Sequence, residues 1–253
     1  MPTVLILVAA AAVFLAPLAA SRLTYPEASL AGLPLLGLAL VIVSAVASQR
    51  LALNRARLSA ALLPESWLNG VLQGRFAALL AALALAAVAV PVMAWTALSA
   101  TRPEALVLAA LCLAGGVVCL GAGGTAARHF RPAYVRGWTV ALATWLPAAV
   151  FVPILAWVNW AVVQHPVAYA DMGLLEALQF GLDSAPAASG ADAALMRGFQ
   201  LAESLKLWLV HRFAGSAVPG LVYSLDAALV GLVFVRSFVA VLDLVRHIAG
   251  RIR

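Results

Sequence analysis

The chain has 253 residues, of which 65% are hydrophobic and only 10% are charged, and its mean hydropathy is +1.03. Soluble domains carry about 25% charged residues, so this composition excludes a soluble globular fold and predicts a membrane protein whose first partner is the lipid bilayer. The net charge of +6 does not indicate nucleic-acid binding, because the arginines form short clusters between apolar runs, as topology determinants do.

Six apolar runs are each long enough to cross a bilayer, which takes about 20 helical residues. They predict an all-α polytopic membrane protein made of a single transmembrane helical domain. The first run lacks the basic start of a secretory signal, so we interpret it as a retained helix. The predicted spans are residues 2–20, 29–48, 76–99, 105–124, 139–163 and 219–243.

The first basic segment, residues 49–75, follows the second span and contains four arginines and one acid, Glu65. Leu51, Leu58 and Leu62 recur in it at spacings of seven and four, a pattern that would place one apolar face on the membrane surface. We expect a basic interfacial loop here, and a docking helix for a cytoplasmic partner is the functional alternative.

The fourth span carries a ridge of small residues, because Gly115, Cys119 and Gly123 recur at every fourth position. Such a ridge lets a second helix approach closely, either within the chain or between subunits. The two cysteines, Cys112 and Cys119, lie in one apolar run without the spacing of a metal or disulfide motif. We therefore expect packing roles for both of them, and no metal site.

The second basic segment, residues 125–138, has three arginines and no acid, and we expect it to be a loop. The fifth span contains Pro147 and Pro153, each of which frees a carbonyl group and tends to kink the helix. Near the far end of this span, Asn159 lies in a tryptophan-rich stretch typical of a membrane interface. We expect Asn159 to be a buried or interfacial hydrogen-bonding residue.

Residues 164–216 form the one sizeable region outside the predicted spans. Its centre, residues 183–192, is rich in small residues and predicts a linker. Short amphipathic helices are predicted on both sides of it, over 172–182 and 195–213. The second helix carries large apolar side chains and either lies in the interface or enters the membrane as a re-entrant segment.

The distribution of lysine and arginine predicts the topology. Segments 49–75, 125–138 and 244–253 hold four, three and three basic residues, whereas the opposite short turns hold only Arg22 and Arg102. The positive-inside rule then places both termini in the cytoplasm and the region between the fifth and sixth spans outside the cell. The expected location is the inner (plasma) membrane.

Well inside the sixth span lie Asp226 and Arg236, at depths where a charge is costly and function is the first hypothesis. They are ten residues and about 15 Å apart on neighbouring helix faces, so they cannot pair with each other. Each needs a partner from another helix or subunit, a water path, or an escape to the interface. Arg236 can snorkel to the interface. Asp226 either is held by a polar neighbour, with Asn159 the nearest by depth, or has a proton- or cation-linked role.

Catalytic and cofactor motifs are not found in the sequence, so we expect no enzyme activity and no cofactor. The histidines fall in loops or at helix ends, whereas a membrane haem needs them within spans. A lipid-modifying site of His165, Asp171 and His211 at the outer face is a minor alternative. The four histidines are His129, His165, His211 and His247.

Two functions remain. The favoured one is an integral scaffold or anchor subunit of a larger assembly, such as a secretion, respiratory or motor complex, which binds other membrane subunits or itself. The alternative is an oligomeric ion channel or small-solute transporter that uses Asp226 in the sixth helix. We favour the subunit because the two halves of the chain show no internal repeat and the first four spans hold few polar residues.

Overall fold

A computed structural model of the chain describes residues 3–24, 32–61, 74–162, 169, 171–184 and 191–251. These residues form eight α-helices, and no strand occurs among them. Six of the helices are long and apolar enough to cross a membrane. The predicted all-helical fold with six candidate spans is therefore confirmed.

In chain order the helices are α1 (Thr3–Thr24), α2 (Gly32–Ala61), α3 (Arg75–Ser99), α4 (Arg102–His129), α5 (Pro132–Ala161), α6 (Leu174–Asp183), α7 (Ala191–Arg212) and α8 (Val218–Arg251). The two that are not candidate spans, α6 and α7, form a hairpin between α5 and α8. Of the predicted linker within this hairpin, residues 185–190 lie outside the described part of the chain.

The first basic segment differs from the prediction. Instead of ending as a span near Ser48, α2 continues to Ala61, so residues 49–61 are helical and continuous with the span. The stretch contains no glycine or proline and is rich in leucine, alanine and arginine, all of which favour helix. The rest of that segment up to residue 73, including Leu62 and Glu65, lies outside the described residues.

The second basic segment is also mostly helical rather than a loop. Only Phe130 and Arg131 separate α4 from α5. Both have extended backbone, which is the conformation required of a residue before proline, and Pro132 then occupies the first position of α5, where its missing N–H is not needed.

The start of α4 is fixed by a capping interaction that extends the helix beyond the predicted span. The backbone N–H and the hydroxyl of Thr101 both donate to Glu104 Oε2, at 2.7 and 2.6 Å. The glutamate in the first turn thus satisfies the backbone N–H of the residue before the helix, as in one half of a capping box.

The last helix, α8, is the centre of the bundle and packs against α1, α2, α3, α4, α5 and α7. In an 18-residue apolar stretch of α8, 56% of the residues are buried, compared with 17–39% in the corresponding stretches of the other five candidate spans. Phe14 of α1 packs edge-on against Phe234 and Phe238, with ring centroids 6.2 and 5.5 Å apart. Asp226, Arg236 and Asp243 of α8 are therefore partly buried by neighbouring helices.

The small-residue ridge of α4 packs within the chain. A Cβ atom added to Gly115 would lie 2.8 Å from Val235 Cγ2 of α8 and 3.1 Å from the carbonyl oxygen of Ala143 in α5. Farther along the ridge, the carbonyl of Cys119 accepts a hydrogen bond of 3.3 Å from the Arg246 guanidinium, which also lies against Gly123. The ridge thus brings α4 close to both α5 and α8.

The hairpin of α6 and α7 folds back over one end of the bundle. Tyr169, Ala177 and Leu207 form its small apolar core. The ring of Phe199 in α7 stacks on Trp95 of α3, with a centroid distance of 5.8 Å and an interplanar angle of 11°. This stacking holds α7 beside the end of α3, in the position from which it reaches α8.

We predict that Gly115→Ala lowers the free energy of unfolding by about 1–3 kcal/mol, because the added methyl group overpacks the contact with Val235 and Ala143. Gly121→Ala is the matched control, since nothing lies within 4 Å of a Cβ at that position. It should be neutral or stabilising through helix propensity. Thermal unfolding in detergent measures both, and equal stability of the two variants would contradict the packing assigned to Gly115.

Candidate functional site

Asp226 belongs to a cluster of three charged side chains, which we call the Lys206 cluster: Glu203 and Lys206 of α7 and Asp226 of α8. Lys206 Nζ lies 3.1 Å from Asp226 Oδ2 and 2.7 Å from Glu203 Oε2. The exposed fractions of the three side chains are 15% for Lys206 and 29% for each acid. Asp226 thus pairs with a residue of another helix, as a charge inside an apolar span requires.

By depth in the sequence, Asn159 is the nearest polar neighbour expected for Asp226. Asn159 is buried and lines the same cavity as Asp226, and Lys206 of α7 donates a hydrogen bond to Asp226. Sequence reasoning missed Lys206 because nothing in its spacing shows that α7 folds back against α8. One signal was available: Lys206 is the only lysine in the chain, and it follows Glu203 by one helical turn.

Burial lowers the pKa of Lys206, but the negative charges and hydrogen bonds of Glu203 and Asp226 outweigh that effect, and the net pKa is raised. The ammonium group is therefore charged at neutral pH. Its contribution to stability is complete below its unfolded pKa of about 10.4 and is lost only as the pH rises through the raised folded value.

A cavity of about 270 Å³ surrounds the Lys206 cluster, which is room for several waters or a small solute. Five helices, α3, α4, α5, α7 and α8, contribute to its wall. Three carboxylates and one ammonium group line it, so the cavity carries a net negative charge. Its polar lining residues are Thr96, Ser99, Thr101, Glu104, Asn159, Gln200, Glu203, Lys206 and Asp226.

Arg236 belongs to a second cluster, the Gln49 cluster, formed by Gln49 of α2, Arg136 of α5, and Arg236 and Asp243 of α8. The Gln49 amide is its centre: Oε1 accepts from Arg236 Nη2 at 3.2 Å, and Nε2 donates to Asp243 Oδ2 at 2.9 Å. The same carboxylate oxygen accepts from Arg136 Nε at 2.7 Å, and Arg136 Nη2 also donates to Ser48 at 3.1 Å.

Arg236 is thus held by a neutral amide between helices, although snorkelling to the interface was an available alternative. Sequence reasoning singled out neither Gln49 nor Asp243 and treated Arg136 as a topology charge. Gln49 carries no charge and lies at the predicted end of a span, so it gave no pairing signal. Asp243 is the one acid after Asp226 in the chain and is surrounded in sequence by arginines, and this isolated negative charge was an available signal.

Both clusters include residues of α8, and an apolar layer lies between the two clusters along this helix. Asp226 and Arg236 are about 15 Å apart along α8. In the intervening turns, an added Cβ at Gly231 would lie 3.0 Å from Val152 of α5, and Val235 is fully buried. This close packing separates the acidic cavity from the Gln49 cluster.

The possible lipid-modifying site of His165, Asp171 and His211 stays a prediction, because His165 lies outside the described residues. Asp171 is exposed, and His211 Nδ1 lies 2.9 Å from the carbonyl of Leu207 in its own helix. Among the described residues, no group of three histidines, cysteines or acids could hold a metal ion.

Comparisons of the chain with protein families, with curated proteins and with solved structures found no match. The function is therefore argued from the chemistry of the clusters themselves. The arrangement that offers chemistry beyond packing is the acidic cavity, because its net charge favours cations.

We predict that Asp243→Asn lowers the free energy of unfolding by about 2 kcal/mol, because it leaves the partly buried Arg136 without its carboxylate. Asp183→Asn, at an exposed position at the end of α6, is the matched control and should change little. Thermal unfolding in detergent compares them. An equally small effect of both changes would show that the ion pair contributes nothing to stability.

We also predict that Lys206→Gln lowers the thermal midpoint at pH 7.5, since Glu203 and Asp226 then repel each other without a cation between them. Lys206→Arg keeps the positive charge and should recover much of the loss. An equal loss in Lys206→Gln and Lys206→Arg would contradict this electrostatic role.

Proposed function

We propose that the chain is a membrane transporter or channel for a small cation, with Asp226 in the binding path. The observation that carries the proposal is the acidic cavity, which is lined by three carboxylates, those of Asp226, Glu203 and Glu104, and by a single ammonium group. Three carboxylates with one ammonium group attract a cation. An arriving cation can take the place of the Lys206 ammonium between the two acids.

Orientation follows from the positive-inside rule together with the helix contacts. The Gln49 cluster joins the last half of α2, the start of α5 and the end of α8, which overlap the three segments that hold ten of the sixteen basic residues, 49–75, 125–138 and 244–253. We therefore propose that this end of the bundle, the basic end, faces the cytoplasm with both termini, and that the acidic cavity opens outside the plasma membrane.

A cation that moves from the acidic cavity to the basic end has to cross the apolar layer between α5 and α8, so this layer has to open. Pro147 and Pro153 lie in α5 on either side of Val152, which packs against Gly231. A proline leaves a carbonyl unbonded in the preceding turn, so these are the positions where α5 bends most readily. We propose that bending of α5 at these prolines separates Val152 from Gly231.

A second candidate, a subunit of a larger inner-membrane assembly, is favoured by the surface of α6. Four large apolar side chains are exposed on this helix although it is not a candidate span, and a partner or lipid would cover them. However, the small-residue ridge and the span charges, which could have been completed by partners, are packed and paired within the chain. Transport therefore has the stronger support. The four exposed residues are Leu174, Leu175, Phe180 and Leu182.

The test is cation flux into liposomes that contain the purified full chain. We expect flux of at least one small cation from a panel of protons, sodium, potassium and methylammonium, and a reduction of about ten-fold or more in Asp226→Asn, since loss of one charged partner costs about 1.4 kcal/mol or more. Asp171→Asn is the matched control: it is the same chemical change on an exposed acid and should leave the flux unchanged.

Two results would overturn the proposal. One is the absence of flux for every cation in the panel, and the other is equal flux in the parent chain and in Asp226→Asn. Extraction in a mild detergent, sizing of the particle and mass spectrometry of its components distinguish the second candidate. Unrelated chains in fixed proportion to this one would establish a subunit, whereas a monomer or homo-oligomer supports transport.

A further inference from the structure

A second cavity, of about 490 Å³, lies at the basic end beside the Gln49 cluster. Helices α2, α3, α5 and α8 form its wall. Two guanidinium groups, those of Arg50 and Arg236, line it, and no carboxylate of the described residues does. Because like charges repel, two guanidinium groups at one cavity favour an anion between them.

The nearest acid does not neutralise this cavity. Asp243 is already engaged by Arg136 at 2.7 Å and by the Gln49 amide at 2.9 Å. Among the described residues, no carboxylate lies within 4.0 Å of Arg236, whose hydrogen bond goes to the neutral oxygen of Gln49. The cluster together with Arg50 therefore carries an excess of two positive charges.

The remaining wall of this cavity is mostly apolar. Leu85 of α3, Trp145 of α5 and Leu232 of α8 line it. Trp145 is also 64% exposed on the outer surface of α5, next to the exposed Leu142 and Leu146. The cavity thus combines a cationic wall with an apolar wall that adjoins the lipid-facing surface, and such a combination suits an amphiphile better than a free ion.

The depth of the arginines agrees with this chemistry. Arg50 is exposed in the last half of α2, whereas Arg236 lies seven residues, or about 10 Å, deeper along α8 than Asp243. A headgroup phosphate near Arg50 would leave its glycerol and upper acyl carbons beside the apolar wall. Basic pockets between transmembrane helices on the cytoplasmic side are suited to anionic lipid headgroups.

We propose that this cavity binds the headgroup phosphate of an anionic phospholipid from the leaflet at the basic end, with Arg50 and Arg236 as its cationic ligands. The phosphate accepts charge-assisted hydrogen bonds from the two guanidinium groups, and a bidentate contact is the geometry that arginine favours. The apolar wall at Trp145 holds the first part of the acyl chain. This site lies beyond the acidic cavity and does not depend on the proposed transport.

The experiment measures the thermal midpoint of the full chain in a neutral detergent during titration with phosphatidylglycerol, phosphatidylcholine or inorganic phosphate. We expect a saturable rise with phosphatidylglycerol alone. Arg50→Gln and Arg236→Gln should each weaken the apparent affinity about five-fold. Arg128→Gln is the matched control, because it removes an exposed arginine of the basic end that does not line the cavity, and it should leave the affinity unchanged.

Three outcomes would overturn the proposal. Equal responses to phosphatidylglycerol and phosphatidylcholine would show that the net negative charge of the lipid does not contribute to binding. A response to inorganic phosphate equal to that to phosphatidylglycerol would make the ligand a free anion rather than a lipid. Equal affinity in Arg50→Gln and Arg128→Gln would place the lipid elsewhere on the basic end. Arg50 is exposed, so Arg50→Gln keeps the test informative even if Arg236→Gln does not fold.

Discussion

Pairing of the charges on α8 is the constraint on which the rest of this structure depends. A charge inside an apolar span must be compensated by another helix, because the bilayer offers it no solvent. The chain meets this requirement at two levels: Lys206 of α7 reaches Asp226, and Gln49 of α2 reaches Arg236 and Asp243. Since α8 packs against six other helices, both compensations occur within the chain.

This constraint also explains the roles of two other elements. The glycines of α4 allow α8 to pack closely against α4, as the contact of Gly115 with Val235 illustrates. The hairpin of α6 and α7 has to fold over the end of α3 for Lys206 to reach Asp226, and the stacking of Phe199 on Trp95 holds it there. The acidic cavity is a consequence of this arrangement, because five helices converge around charges that cannot be covered by apolar side chains.

The sequence predicts the six candidate spans well, because uninterrupted apolar runs of this length have no other stable place in a helical protein. It predicts their ends less well. Residues 49–61 and most of residues 125–138 continue helices, since arginines mark the edge of the membrane without ending a helix.

The candidate site is predictable only in part. Asp226 and Arg236 stand out through the cost of their charges, but their partners arise from tertiary contacts between residues that are 20 and 187 positions apart. Gln49 is neutral, and no rule of charge pairing selects it. The ridge around Gly115 is visible in the sequence, whereas its partner helix becomes known only from the fold.

We propose that α8 carries one polar cluster towards each face of the membrane, with the acidic cavity outside the cell and the basic end inside. Labelling of introduced cysteines with a membrane-impermeant thiol reagent in intact cells tests it most directly, because the native Cys112 and Cys119 are buried and give little background. We predict that Ser99→Cys, at the acidic cavity, is labelled in intact cells, and that Arg128→Cys, at the basic end, is labelled only after the membrane is opened. Labelling of both cysteines in intact cells, or of Arg128→Cys alone, would contradict the account.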